Sequence, residues 1–516
     1  MRLLSPTPRQ RDLLACSALA TAALLAAAPA AKAQTYIPGD LIVSSSTFVP
    51  NTGEAAGLTP GKQITVDGTP LTTAAGAPVL AVASDANLGV FTNSTVDGNF
   101  GITAPLSISS VNTATGAIAQ TVQLPTSQIV TSFPSKSEGG LNLSTDGKVL
   151  TIVDYHVTTD AATSSPVGAL DVSNSSTTAF PDSASLAAGN SPRTDNRTVA
   201  QLSPSAPVAT TDLTAYSGNN GRNAILANGT YYTVGNGNLG NTGVEALVPG
   251  TPVVGTTSNS TQIGQYNITQ NGYTADKLIK DNNYRAETIY NGTLYVTKGS
   301  GGKGIDTVYQ VGATGALNNG GALPATAAIN ILPGFSTQLA KVGPDFTPFG
   351  LFFANATTLY VADEGTGDTI DATLHAGLDK YSLVNGQWVL DYVLQAGVIG
   401  TTQSYTAAGF TGTVTETGLR NLAGRVNADG TVSFYAVTAT MDTVPGMDNG
   451  ADPNEIVSII DSLATTTLPG SELFSVTEGP ILGTVYRGVA LAPVPEPGSL
   501  ALLATGAIGL LFRRRR

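Results

Sequence analysis

The feature that most constrains the fold is a recurrence. Five short segments share one form: Asp146-Gly147-Lys148-Val149-Leu150-Thr151-Ile152-Val153, Asn228-Gly229-Thr230-Tyr231-Tyr232-Thr233-Val234, Asn291-Gly292-Thr293-Leu294-Tyr295-Val296-Thr297, Ala356-Thr357-Thr358-Leu359-Tyr360-Val361-Ala362 and Asp429-Gly430-Thr431-Val432-Ser433-Phe434-Tyr435-Ala436-Val437. Each is a turn dipeptide or small polar pair followed by β-branched and aromatic residues, the chemistry of a tight turn leading into a strand. They are spaced by roughly 60 to 80 residues, longer than a compact propeller blade of about 40 to 50, with loops rich in Gly, Asn and Ser to take up the excess. Units recurring at this interval bury their faces against their neighbours, and a closed ring hides the sheet edges. The pattern predicts an all-β fold, a β-propeller. At about 65 residues per unit, a body of roughly 460 residues predicts about seven blades. A β-solenoid would need a shorter and stricter period; stacked β-sandwiches are the other rival architecture.

One blade is legible in detail. Leu378 to Val384 and Gln387 to Leu394 read as two strands joined by Asn385-Gly386, a dipeptide that favours the type I′ hairpin turn because both residues tolerate positive φ. Trp388 follows the turn, and Thr358 to Ala362 precedes the hairpin across an acidic loop. The run Leu359-Tyr360-Val361-Ala362-Asp363-Glu364-Gly365 is similar to the inner-strand motif of extracellular NHL-like propellers. The segments Gly39-Asp40-Leu41-Ile42-Val43, Ala215-Tyr216-Ser217-Gly218-Asn219-Asn220-Gly221-Arg222 and Tyr486-Arg487-Gly488-Val489-Ala490-Leu491-Ala492-Pro493, the last reading as a closing strand, resemble secreted bacterial proteins of this build. This resemblance implies a fold and no activity.

Composition narrows the partners. The net charge is −12 with 24 Lys and Arg, several of them in the two end segments. Nucleic acid and anionic lipid both demand a basic face, so neither is an expected partner. Cys16 is the one cysteine and lies in the leader, which excludes disulfides, thiolate catalysis and zinc–thiolate sites from the body.

The two ends read as address labels. Arg2, Arg9 and Arg11 give a positive start, Leu13 to Ala28 an apolar stretch, and Ala31-Lys32-Ala33 a small-x-small cleavage site with Gln34 as the first mature residue. Residues 1–33 are therefore expected to be a secretory signal helix removed by signal peptidase. Residues 34–493 form the propeller-like body. In the last segment, 494–516, Val494-Pro495-Glu496-Pro497 resists helix, the apolar run from Ser499 to Phe512 suits a short transmembrane helix, and Arg513, Arg514, Arg515 and Arg516 should stay cytoplasmic. This ending resembles the PEP-CTERM sorting signal in all three parts and their order. The resemblance implies recognition by an exosortase, cleavage near Pro495-Glu496-Pro497, transient anchoring in the inner membrane, and release or transfer to the cell surface of a Gram-negative bacterium, often one making exopolysaccharide.

Candidate chemistry is sparse. His156 and His375 are the two histidines, and no Gly-x-Ser-x-Gly elbow, His-Glu-x-x-His, phosphate-binding or dinucleotide fingerprint accompanies them. Asp448, Asp452, Asn454 and Glu455 place oxygen ligands at alternate positions around Gly450, as calcium prefers, although Glu455 comes too early for the bidentate position of an EF-hand. Asp363, Glu364, Asp368 and Asp371 form a second acidic cluster. Calcium is the cofactor these loops suggest. Two functional expectations follow: a non-catalytic surface or matrix protein binding exopolysaccharide, or a calcium-dependent extracellular hydrolase of esters or phosphoesters. A structural module partnering other envelope proteins is a third.

Overall fold

A computed structural model of the chain describes residues 36–73, 75–85, 90–93, 100–159, 165–182, 191–204, 206–342, 346–365, 375–407, 410–442 and 450–493. The two end labels lie outside the described residues. So do Ala31, Ala33, Gln34, Pro495, Glu496, Pro497, Arg513, Arg514, Arg515 and Arg516. Among the described residues no helix is long and apolar enough to cross a membrane.

The sheets are antiparallel and ordered as propeller blades, from the central channel outwards. Blade 1 joins the two ends of the body: Thr484–Leu491 is innermost, followed by Leu41–Thr47, Leu106–Val111 and Ile118–Gln123. Blade 2 runs Asn142–Leu143, Leu150–His156, Asn196–Ser203 and Ala206–Leu213. Blade 3 runs Gly221–Ala227, Thr230–Gly235, Gly243–Leu247 and Thr261–Gln262. Blade 4 runs Glu287–Tyr290, Thr293–Lys298, Thr307–Val311 and Ile329–Ile331. Blade 5 runs Pro348–Asn355, Thr358–Asp363, Gly377–Val384 and Gln387–Leu394. Blade 6 runs Phe410–Val426, Thr431–Asp442, Ile456–Ser462 and Ser475–Glu478, and the first half of its long inner strand also pairs with Thr402–Ala407. The six inner strands touch in a closed cycle, each meeting the next and the last returning to the first. Leu41 pairs with Leu491 and Thr47 with Thr484, so the opening and closing strands fasten the ring.

The core is distributed around the ring. Each pair of adjacent blades encloses its own apolar cluster: Ile42, Ile108 and Ile152 between blades 1 and 2, Val199 and Ala224 between 2 and 3, and Val234, Val296 and Tyr309 between 3 and 4. Phe353 and Leu359 lie between blades 4 and 5, Phe434 and Leu378 between 5 and 6, and Val437 and Val43 between 6 and 1. This is the physical content of a repeat whose units bury their faces only against neighbours.

The five recurring segments all supply the second strand of a blade, in blades 2 to 6, and Leu41–Thr47 takes that place in blade 1. The strand with the NHL-like sequence is thus second from the channel and not innermost. The blade count is six where the sequence spacing predicts about seven, and the excess has a physical cause. Between the second and third strands of blade 1 the chain builds a small satellite unit. It holds the ribbons Thr65–Val66 with Thr69–Pro70 and Ala81–Asp85 with Val90–Asn93, and its own core of Leu58, Ile64, Val66, Leu71 and Phe100. That is about one blade's worth of chain spent outside the ring. The buried Arg193 pins it, donating from Nη1 to Glu54 Oε2 and Asp67 Oδ1, both at 2.9 Å, and from Nε to Asp195 Oδ2 at 2.7 Å.

The hairpin turn is as expected: Asn385 has φ 51° and Gly386 φ 78°. A Cβ at Gly386 would meet nothing within 4 Å, so Gly386→Ala carries a purely conformational cost. We expect a loss of about 1 kcal/mol in denaturant unfolding; a neutral variant would mean that the turn is not left-handed at this residue.

Candidate functional site: a basic cavity at the channel mouth

At the end of the propeller where the inner strands begin, the loops ahead of blades 2, 3 and 4 converge on a cavity of about 440 Å³. Ser135, Lys136 and Ser137 arrive ahead of blade 2, Asn219 and Asn220 ahead of blade 3, and Asn283 and Arg285 ahead of blade 4. Ser300, Gly301, Gly302 and Lys303 follow the second strand of blade 4, and Lys277 and Lys280 come from the connection between blades 3 and 4. With Arg222, six cationic side chains line the cavity, and among the described residues no carboxylate or aromatic side chain does. Sixteen of the chain's Lys and Arg lie in the body, so over a third of them meet at one place on an acidic protein.

The floor is rigid and buried. Arg222, the second residue of the inner strand of blade 3, donates from Nε to Ser137 Oγ at 3.0 Å and from Nη1 to Asn283 Oδ1 at 2.5 Å and Tyr284 O at 2.6 Å. Burial and the neighbouring Arg285 pull its pKa down to about 9. Burial, Arg222 and Lys277 likewise pull Lys280 down to about 8, while its Nζ donates to Asn238 Oδ1 at 2.7 Å. Arg285 faces Glu364 at 3.3 Å, and Arg420 donates from Nε to the other oxygen of Glu364 at 3.1 Å. Burial would push the pKa of Glu364 up, but Arg285, Arg420 and Lys136 overcome it and hold the carboxyl below the ordinary glutamate value. Beneath lies a second polar layer. Burial pushes Glu138 up to about 7, and it accepts from the Tyr155 hydroxyl. Arg487, on the closing strand, donates from Nε to Ser46 Oγ at 2.9 Å and from its Nη groups to Ser135 O and Phe133 O.

These arginines have a sequence signal that the strand patterns conceal. Arg222-Asn223, Arg285-Ala286, Arg420-Asn421 and Arg487-Gly488 each place an arginine before a small or amide residue within or just ahead of an inner strand. Blade 5 presents Phe349 there, and the Arg285 guanidinium lies 5.8 Å from the centre of its ring. The recurrence of Arg-x at one- or two-blade intervals is the sign by which the cavity floor could have been found.

The acidic candidates fall elsewhere. Asp448, Asp368 and Asp371 lie outside the described residues. Asn454 donates from Nδ2 to Thr438 O at 3.1 Å and Tyr486 O at 3.0 Å and accepts from Tyr486 N at 2.8 Å, stapling blade 6 to the closing strand. Asp452 is buried. Glu455 is buried too, its backbone N donates to Thr438 Oγ1 at 2.8 Å, and burial pushes its carboxyl up to about 7. Asp363 accepts from Thr347 N at 2.7 Å and Gly365 N at 2.8 Å; burial and Asp379 push it up to about 7. Glu364 is the counter-ion of two arginines. Among the described residues no three His, Cys, Asp or Glu side chains form a group able to hold a metal. His156 meets Asp212 at 2.9 Å and His375 meets Asp379 at 2.6 Å, both through Nδ1.

A family model for the PEP-CTERM protein-sorting motif matches residues 493–516. No curated protein matches the chain. Among solved structures, the N-terminal domain of Nup159 aligns with 89% of this chain and 98% of its own, at 8% identity and a TM-score of 0.27. A mutant Synechocystis apocarotenoid oxygenase aligns with 88% of this chain and 97% of its own, at 8% identity and a TM-score of 0.31. Similarity this weak carries no argument about function. The chain is a six-bladed β-propeller that ends in a PEP-CTERM protein-sorting motif, the mark of an exported protein processed by an exosortase.

Proposed function

We propose that this protein is a non-catalytic component of the cell surface or extracellular matrix, delivered by the exosortase route, and that its propeller holds exopolysaccharide. The observation that carries the reading is the sorting motif at residues 493–516, joined directly to the strand Thr484–Leu491 that closes the ring. A body so attached is presented to the outside as a folded module, with the channel mouth as its recessed polar surface.

The test is made in the producing cell. Replacing Pro495, Glu496 and Pro497 together by alanine should leave the protein in the inner membrane and lower its surface level at least tenfold, with the bound exopolysaccharide lost in parallel. An unchanged surface level contradicts the delivery route. An unchanged level of polysaccharide in cells lacking the protein contradicts the binding role.

A further inference from the structure

We infer that the cavity at the channel mouth is a binding site for a saccharide bearing oxyanion groups, carboxylate or phosphate, which are received between Arg222, Arg285 and Lys280. The choice of a saccharide rests on the exopolysaccharide reading; the oxyanion rests on the cavity alone.

The first argument is uncompensated charge. Of the six cations, the ion pairs are those of Arg285 with Glu364 and of Lys303 with Asp276. The acceptors that Arg222 and Lys280 find are neutral: a serine hydroxyl, two amide oxygens and a backbone carbonyl. Burying a cation without a paired anion is costly; Arg222 is buried and Lys280 half-buried, and burial lowers the pKa of both, with Glu138 and Glu364 offsetting only part of the cost at Arg222. A bound oxyanion would supply the missing charge, and charge-assisted bonds to guanidinium are the strong ones.

The second argument is unused hydrogen-bonding capacity on residues that line the same space. Among the described residues Arg285 Nε, Asn220 Oδ1 and Asn236 Oδ1 are buried without a partner, on side chains that line the cavity and are 7%, 5% and 2% exposed. Polar atoms of a native protein are rarely left so. One donor suits an oxyanion, and two acceptors suit sugar hydroxyls. The third argument is the character of the walls. Ligand sites for apolar or aromatic molecules are lined by apolar and aromatic side chains, and a nucleobase needs a stacking platform. Serine, asparagine, glycine and cations offer neither.

The experiment titrates the mature, full-length exported protein by calorimetry with trigalacturonate, glucose 1-phosphate and the neutral maltotriose, at low and at 200 mM salt. The expected result is binding of an anionic probe, weakened by salt, at least tenfold tighter than maltotriose. Trigalacturonate alone identifies a uronate ligand, glucose 1-phosphate alone a phosphorylated one. The double charge reversal Lys136→Glu with Lys277→Glu, at two exposed rim positions, should weaken that binding at least tenfold without lowering the melting temperature, and Lys280→Met should weaken it separately. Equal affinity for maltotriose, or no response to either variant, overturns the inference. The two readings fail differently. Native exopolysaccharide retained equally by wild type and the rim variant sinks the cavity and leaves the polysaccharide reading standing. An anionic probe bound by wild type and lost in the variant, with no retention of native exopolysaccharide, leaves the oxyanion site standing and sinks that reading.

Discussion

Replacing Lys380 by methionine should cost about 3 to 5 kcal/mol of folding stability, the range measured when one partner of a buried ion pair is removed. Lys380 stands on the third strand of blade 5 and Asp461 on the third strand of blade 6. Their side chains, 1% and 0% exposed, meet at 3.0 Å. Nζ also donates to Ser462 O at 2.5 Å, Thr465 O at 2.8 Å and Tyr392 Oη at 3.0 Å. Asp461 in turn accepts from Tyr392 at 2.6 Å and from the Tyr360 hydroxyl. Methionine fills similar space but leaves a carboxylate buried without its cation. The coupling is checkable: in Lys380→Met with Asp461→Asn the stranded charge is gone, so the double variant should be more stable than Lys380→Met alone. A Lys380→Met variant within about 1 kcal/mol of wild type in chemical denaturation would mean that this junction between blades is wet or loosely packed.

The second large effect is one of pH. Glu245 lies fully buried on the third strand of blade 3. Its Oε2 accepts from Ser260 Oγ at 2.7 Å and Asn241 Nδ2 at 3.0 Å, while Oε1 has no partner among the described residues. Burial pushes its pKa up from 4.5 to about 8. The folded state therefore holds this proton more tightly than the unfolded chain does. The resulting penalty on stability is absent below pH 4.5, grows as pH rises, and is complete above pH 8. Glu245→Gln removes the ionisation and should flatten that part of the profile. Relative to wild type, the variant should gain about 3 kcal/mol between pH 5.5 and pH 8.5. Parallel stability curves for the two proteins would refute the assignment.

Much of the fold is legible because its signals are local. A turn dipeptide and the β-branched run behind it need no distant partner, which is why all five recurring segments fall on the second strand of a blade and why Asn385-Gly386 turns as its chemistry dictates. The closing strand around Tyr486 and the opening strand around Leu41 are legible too, and their pairing joins the ring. The satellite unit is not, because strands as short as Thr65–Val66 carry no periodic pattern and its length mimics a blade.

The cavity is less legible, for a different reason. Its residues come from stretches as far apart as Ser135 and Lys303, each unremarkable alone, and a net charge of −12 conceals a basic recess. Arg487 lies inside a segment that reads as a closing strand, and Arg222 ends a Gly- and Asn-rich run that suggests a fold and no site, so their chemistry stays hidden. Glu364 shows the converse: an acidic residue beside Asp363 suggests a metal ligand until two guanidinium groups are found on it.

The most direct test of the central claim is the intact mass of the protein recovered separately from the cell envelope and from the medium. The expected species begins at Gln34 and ends near Pro497, with the four terminal arginines removed; a species still carrying Arg516 would contradict exosortase processing.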